Sequence, residues 1–172
     1  MHIKTPIILI IMGVSGSGKS TIGKLLCETL HMEFYDGDDF HPQENIDKMS
    51  AGHPLNDQDR AGWLEAIHAF GLQQLEQQHS CIIACSALKK SYRDVLRKDM
   101  EQQLKFIYLE GDFQTIQTRL AKRKSHFMPT ALLKSQFDTL EPPKNAIVVD
   151  LRLSPKDIID QIITALKKQA VL

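Results

Sequence analysis

The chain has 172 residues, 42 % of them hydrophobic, and balances 21 Lys and Arg against 21 Asp and Glu for a formal net charge of zero at pH 7. That length and apolar share predict one domain over residues 1–172 with a core of its own, and the charge balance argues against nucleic acid or a membrane surface as partner. Cys27, Cys81 and Cys85 form an odd set without Cys-x-x-Cys spacing, which suggests neither a disulfide framework nor a zinc site and predicts reduced, mostly buried thiols in a cytoplasmic protein. No apolar run approaches the ~18 residues of a membrane span. Lys4 to Met12 imitates a weak leader, one positive charge before a short apolar run, but removing it would delete a strand that the next motif needs.

In chain order, strand-like and helix-like segments alternate. Pro6 to Met12 is a β-branched-rich run that reads as a buried strand, and Ile22, Leu25, Leu26 and Leu30 then recur at helical spacing. A short strand around Glu33-Phe34-Tyr35 leads to Asp36-Gly37-Asp38-Asp39. The polar, turn-rich stretch from Phe40 to Asp59 has helical character near Asn45 to Met49. Asn56 or Asp57 can cap the following helix, which carries Trp63, Leu64, Ile67, Phe70 and Leu75. Cys81 to Cys85 is a short buried strand, Leu88 to Lys98 a basic helix, and Leu104 to Leu109 another strand. A helix from Phe113 to about Lys122 breaks at His126 to Pro129 and resumes from Ala131 to Leu140. Ala146 to Asp150 is the last strand, and Ser154-Pro155 opens a final helix with Ile158, Ile159, Ile162, Ile163 and Leu166 inward. Five strands alternating with helices predict an α/β fold, a parallel sheet with helices on both faces.

Between the first strand and first helix, Gly13-Val14-Ser15-Gly16-Ser17-Gly18-Lys19-Ser20 fits Gly-x-x-x-x-Gly-Lys-[Ser/Thr], the phosphate-binding P-loop, in the strand–loop–helix setting the motif requires. Its backbone N–H groups and the helix N-terminus from Ser20 and Thr21 face phosphate oxygens, Lys19 reaches the β- and γ-phosphates, and Ser20 ligates Mg²⁺. A nucleotide whose phosphates bind with Mg²⁺ is therefore expected. Ligands of such sheets gather beyond the carboxyl ends of the strands. Asp36 and Asp38 follow the second strand two residues apart, which in extended backbone puts both carboxylates on one side. Asp36 is assigned to the metal and Asp38 to the acceptor hydroxyl, partly because the third strand ends Ala84-Cys85-Ser86 without the usual metal-binding aspartate. Turn chemistry would use the same residues. The cations for transfer come from Arg60, Lys89 and Arg93, and from Arg119 and Arg123, four apart on one helical face beside a segment able to close. Lys90, Arg97, Lys98, Lys122 and Lys124 read as solvated helix surface. Asn-Lys-x-Asp, which would mark a guanine switch, is absent.

Beyond the P-loop the chain carries Asp36-Gly37-Asp38-Asp39-Phe40-His41-Pro42, Asn45 to Met49, Pro54 to Arg60, Cys85 to Asp94, His126-Phe127-Met128 and Ser135 to Pro143. Over about Ile8 to Asp150 these blocks resemble gluconokinase, a small P-loop sugar-acid kinase related in fold to shikimate and nucleoside-monophosphate kinases. The resemblance implies ATP- and Mg²⁺-dependent phosphorylation of D-gluconate at its 6-hydroxyl, a cytoplasmic homodimer, an acceptor-binding insertion at about 37–60 and a mobile lid at about 122–130. Carried over by position, Lys19, Asp38 and Arg123 are the catalytic residues. Asp38 and His41 would lie in the gluconate pocket with Arg60, with Lys89 or Arg93 on the opposite wall and His126 entering from the lid, and Arg119 would flank adenine with the loop after Asp150. His2, His31, His53, His68 and His79 read as structural or solvent-exposed, and Trp63 as core. The alternatives are a kinase for shikimate or a nucleoside monophosphate, and a nucleotide-regulated binding protein, against which the paired aspartates and lid arginines stand.

Overall fold

The computed structural model describes residues 5–122 and 130–172. Its five strands are β1 (Ile8–Met12), β2 (Glu33–Asp36), β3 (Cys81–Ala84), β4 (Leu104–Glu110) and β5 (Ile147–Asp150). They form one sheet in the order β2-β3-β1-β4-β5, and every neighbouring pair is parallel. The expected strands are all present. So are the helices: α1 (Lys19–Leu30), α2 (Gln43–Ser50), α3 (Asp57–Glu76), α4 (Lys90–Arg97), α5 (Phe113–Ala121), α6 (Thr130–Thr139) and α7 (Pro155–Lys168).

Strand β1 is central and buried along its whole length, which is why its sequence is a continuous apolar run instead of an alternation. Its side chains still alternate between two cores. Ile8, Ile10 and Met12 join the layer with Trp63, Leu64, Ile67, Tyr92 and Leu96 from α3 and α4, whereas Leu9 and Ile11 join that of Ile22 and Leu26 from α1 and Ile158, Ile162 and Leu166 from α7. One five-residue strand thereby anchors both helical layers and fixes where its C-terminal end, the start of the P-loop, emerges.

The helix starts are strongly specified. Asn56 Oδ1 accepts from Asp59 N, and Asp59 Oδ2 accepts from Asn56 N, both at 2.8 Å, a reciprocal capping box for α3. Asp112 caps α5, and Ser154 caps α7 with Pro155 in its first turn. Such caps each contribute about 1 kcal/mol by satisfying otherwise orphaned N–H groups. Helix α4 begins differently. Its preceding residue, Lys89, supplies no side-chain cap, and the Lys90 N–H donates instead to Glu141 Oε2 at 2.7 Å while the Glu141 N–H donates to Leu88 O at 2.8 Å. The end of α6 is thereby tied to the loop after β3.

Candidate active site

The loop after β1 enters α1 through Gly16 and Gly18, with φ of 79° and 98°, a backbone region that side-chain-bearing residues rarely adopt. A Cβ on Gly18 would meet nothing within 4 Å, so the requirement there is conformational, not steric. The loop thereby delivers the chain to the N-terminal end of α1 at Lys19, where negative charge is favoured. Lys19 Nζ lies 3.1 Å from the carbonyl oxygens of both Gly13 and Val14. Gly13 N donates to Ser86 O at 3.3 Å, which docks the loop on the end of β3. Val14, Ser15, Ser17, Ser20 and Thr21 complete the stretch, with Val14 and Ser17 buried.

A cleft of about 730 Å³ opens beside this loop, lined by Lys19 and Ser20, by Asp36 at the end of β2 with Asp38 and His41 beyond it, by Arg60 and Trp63 of α3, and by Ser135 and Gln136 of α6. Asp36 and Ala84 are register partners in the β2–β3 pair. The carboxylate missing from the end of β3 thus stands one strand over, and Ser20 Oγ donates to Asp36 Oδ2 at 3.3 Å. One hydroxyl and one carboxylate fit Mg²⁺, which takes one or two protein ligands and completes its shell with water and phosphate oxygens. Among the described residues there is no cluster of three or more His, Cys, Asp or Glu that could hold a metal without such a substrate.

The extended geometry expected after Asp36 is not what the chain adopts. The strand ends at Asp36, and Gly37–Phe40 forms a single 3-10 turn with Asp36 Oδ1 accepting the Asp38 N–H at 3.0 Å. Turn chemistry and cleft placement coexist, and the turn brings Asp38 and His41 to the same wall as Asp36. A Cβ on Gly37 would stand 2.4 Å from the Ala84 carbonyl oxygen, so only glycine allows this approach to β3. The Gly37 carbonyl accepts from Trp63 Nε1 at 2.6 Å. The Asp38 side chain remains 83 % exposed within the cleft. Partial burial in the cleft first, and then the Asp36 charge, push its carboxyl above the ordinary Asp value against the pull of Lys19.

His41 is not a surface histidine. Its side chain is 5 % exposed, and its ring stacks on Trp63 with centroids 4.2 Å apart and 14° between planes. Burial, and then the Arg60 charge, lower its pKa to about 4, so the imidazole is neutral at pH 7. Trp63 is 2 % exposed and belongs to the core, as the sequence indicated. Arg60 donates through Nη1 to the Leu55 carbonyl and, at 3.3 Å, to Tyr92 Oη, and its guanidinium lies 5.5 Å from the Tyr92 ring centroid.

Lys89 and Arg93, the candidates for the opposite wall, each make contacts of their own. Lys89 is drawn to Asp57, with Nζ 2.8 and 3.0 Å from the two carboxylate oxygens, because the start of α3 presents that carboxylate beside the Tyr92 ring. Arg93 is 3 % exposed and donates through Nη1 to Ala87 O at 2.9 Å and Leu88 O at 3.0 Å. It holds the loop after β3 from beneath. Arg119 donates through Nη2 to the Leu151 carbonyl, joining α5 to the loop after Asp150. Arg123 and His126, and with them most of the expected lid, lie outside the described residues.

Several lining residues had no role in the sequence reading. His53 stands on the cleft with Met49 and Ser50. Gln136 accepts from the Ser15 N–H through Oε1 at 2.6 Å, a contact across 121 positions of sequence. The Ser135-Gln136 block was visible as a motif, but nothing local in it tells that the glutamine reaches the phosphate loop. Cys85, near the same end of the sheet, is buried, and its thiol is pushed up to about 12 by that burial, so it is no nucleophile.

With a phosphate loop at the end of a central parallel strand, and a second carboxylate beside the metal-fitting hydroxyl and carboxylate, the chain is a small P-loop phosphotransferase. Residues 15–167 match the family model described as shikimate kinase. Within that broader family the chain belongs to the gluconokinases. It is 50 % identical over 135 residues to the thermosensitive gluconokinase of Escherichia coli K12, covering 78 % of this chain and 72 % of that one. With the thermoresistant gluconokinase of the same organism it is 45 % identical over 167 residues, covering 94 % of each chain. The crystal structure of a gluconokinase from Sinorhizobium meliloti 1021 superposes with a TM-score of 0.87 at 40 % identity, covering 96 % of this chain and 94 % of that one.

Proposed function

We propose that this chain transfers the γ-phosphoryl group of ATP to the 6-hydroxyl of D-gluconate, giving ADP and 6-phospho-D-gluconate. The observation that carries the reading is that Asp36, Asp38 and Arg60 line one cleft together with Lys19 and Ser20. The relatives' name supplies the acceptor, and the geometry supplies a part for each end of it. Asp38 accepts the proton that the 6-hydroxyl loses as its oxygen attacks the γ-phosphorus, and the ADP oxygen leaves opposite. Lys19 exchanges the Gly13 and Val14 carbonyls for the phosphate oxygens and offsets the charge that develops there. Ser20 and Asp36 would hold Mg²⁺, which when bound neutralises phosphate charge. Arg60 is assigned to the gluconate carboxylate, remote from the reacting end, through its Nη2–Nε edge, since both of its hydrogen bonds use Nη1. Arg119 and the loop after Asp150 are assigned to the adenine end, and Arg123 and His126 to the lid that excludes water.

The remaining assignments rest on the resemblance and on the thiols. Two of the three cysteines are buried and all are unpaired, which supports a reducing, cytoplasmic setting. The helices include none long and apolar enough to cross a membrane among the described residues. The gluconokinase resemblance is what supports a homodimer feeding sugar-acid carbon into central metabolism. The deciding experiment is an ADP-release assay with gluconate, glucose, shikimate and nucleoside monophosphates in parallel. Turnover with gluconate is expected; turnover with shikimate or a nucleotide in its place would overturn the assignment.

A further inference from the structure

Asn45 of α2 is a buried polar residue, 4 % exposed, whose side chain has two neighbours. Its Nδ2 lies 2.8 Å from the Asp59 carbonyl oxygen and 3.2 Å from His41 Nδ1. A backbone carbonyl can only accept, so the atom facing it is the amide NH₂, and the second hydrogen of that group points at His41 Nδ1. Nδ1 must then be the acceptor, which leaves the ring proton on Nε2. The amide cannot turn over without facing two oxygens together. Its surroundings are also held, because Lys48 Nζ donates to Asp59 Oδ2 at 2.6 Å and Asp59 closes the α3 capping box. The stack on Trp63 fixes the plane of the ring. Nε2 faces Asp38 Oδ1 at 3.8 Å, beyond direct hydrogen-bond distance but within the span that one oxygen bridges with two bonds of about 2.8 Å.

We propose that Asn45 is a positioning residue that locks His41 as an Nε2–H donor, and that His41 Nε2–H with Asp38 Oδ1 forms a donor-and-acceptor pair holding one hydroxyl of the polyhydroxy acceptor. A hydroxyl both donates and accepts, so a wall offering one of each engages it fully, whereas two carboxylates or two cations would engage it by half. The charged groups facing the ring are Asp38 from its own turn and Arg60 from α3. Protonating the ring would set a second donor against the Asn45 NH₂, so the same contact that chooses the tautomer opposes the charge. The inference rests on the sugar-acid kinase reading for the identity of the hydroxyl, but the tautomer does not depend on it.

Two measurements test it. In long-range proton–nitrogen NMR of the nitrogen-labelled protein, with His41 assigned by its loss in His41→Gln, the ring at pH 7 is expected to carry its proton on Nε2 and a bare Nδ1. A proton on Nδ1, or a doubly protonated ring, overturns the proposal whatever the substrate. Asn45→Asp places an acceptor against Nδ1 and is expected to move the proton there, with kcat/KM for gluconate falling about tenfold and the KM for ATP unchanged. A moved proton with wild-type kcat/KM for gluconate would refute the paired-hydroxyl role. If Asn45→Asp does not fold, His41→Phe keeps a ring on Trp63 without the donor and must show the same selective loss. If wild type shows the expected tautomer but does not phosphorylate gluconate, the functional reading fails while the tautomer lock stands.

Discussion

At Lys19 the chain places a charge on a backbone turn, with Nζ 3.1 Å from two loop carbonyls. Nothing in that arrangement is core packing, so Lys19→Ala is expected to abolish phosphoryl transfer and leave the circular dichroism spectrum unchanged. Retained turnover would remove the loop from the mechanism. Asp38 is chemically distinct from Asp36: the latter is tied to Ser20 Oγ and the Asp38 N–H, whereas the former is open to the cleft. Asp38→Asn keeps the shape but cannot take a proton, and kcat should drop by roughly 10²–10⁴ with gluconate affinity far less affected. Loss of binding with kcat intact would make Asp38 a positioning group only. For Arg60, the Lys variant keeps the charge and loses the planar fork, and the KM for gluconate should rise roughly ten- to a hundredfold with ATP binding little changed, the size of one charge-assisted contact. Equal use of glucose and gluconate by the wild type would instead show that no cation reads the carboxylate.

The elements that place these residues differ in how openly the sequence declares them. Every strand and helix was legible, because the apolar runs, the Asn56 and Ser154 starts and Pro155 are local signals. The P-loop was legible for the same reason. The turn at Gly37–Phe40 was not, since extended and 3-10 backbone both suit Asp-Gly-Asp-Asp, and the choice is made by Trp63 Nε1 bonding the Gly37 carbonyl from 26 residues away. The partners of Lys89 and Arg93 were hidden for a like reason: a helix of basic residues after β3 reads as a substrate wall, and nothing local tells that Asp57 pairs with one cation and the Ala87 and Leu88 carbonyls accept from the other. The glycine at 37 is where an element-scale test is sharpest. Gly37→Ala would put a methyl 2.4 Å from the Ala84 oxygen, and backbone on both sides leaves little room to yield. We expect a loss of about 1–3 kcal/mol in urea unfolding, together with reduced kcat as Asp38 is displaced from Asp36. Unchanged stability and turnover would show that the close approach of β2 and β3 is not needed to shape the site.

Across the whole molecule, the wall that holds the acceptor is built by burying a titratable ring, and this links the site to the stability of the fold. His41 is packed on Trp63 in the core layer that also contains Met12, Ile83 and Leu88. Its pKa falls from 6.5 to about 4 in the folded protein, through burial first and the Arg60 charge second. Above pH 6.5 the ring is neutral in both folded and unfolded chains, and its titration costs nothing. Between pH 6.5 and about 4 the unfolded chain takes up a proton that the folded one refuses, so stability declines as pH falls through this window and levels off below it. A shift of that size corresponds to at most about 3 kcal/mol when fully expressed. The readout is the difference between wild type and His41→Phe in unfolding free energy, measured by urea titration at pH 7.5 and at pH 4. Other histidines and the carboxylates away from the ring contribute equally to both proteins and cancel in that difference, leaving Asp38 as the neighbour whose titration the substitution also touches. Wild type should lose more stability than the variant on acidification, by up to the stated amount. Parallel curves for the two proteins would show that the ring protonates freely in the folded state, and would contradict both its burial and its neutral role beside Asp38.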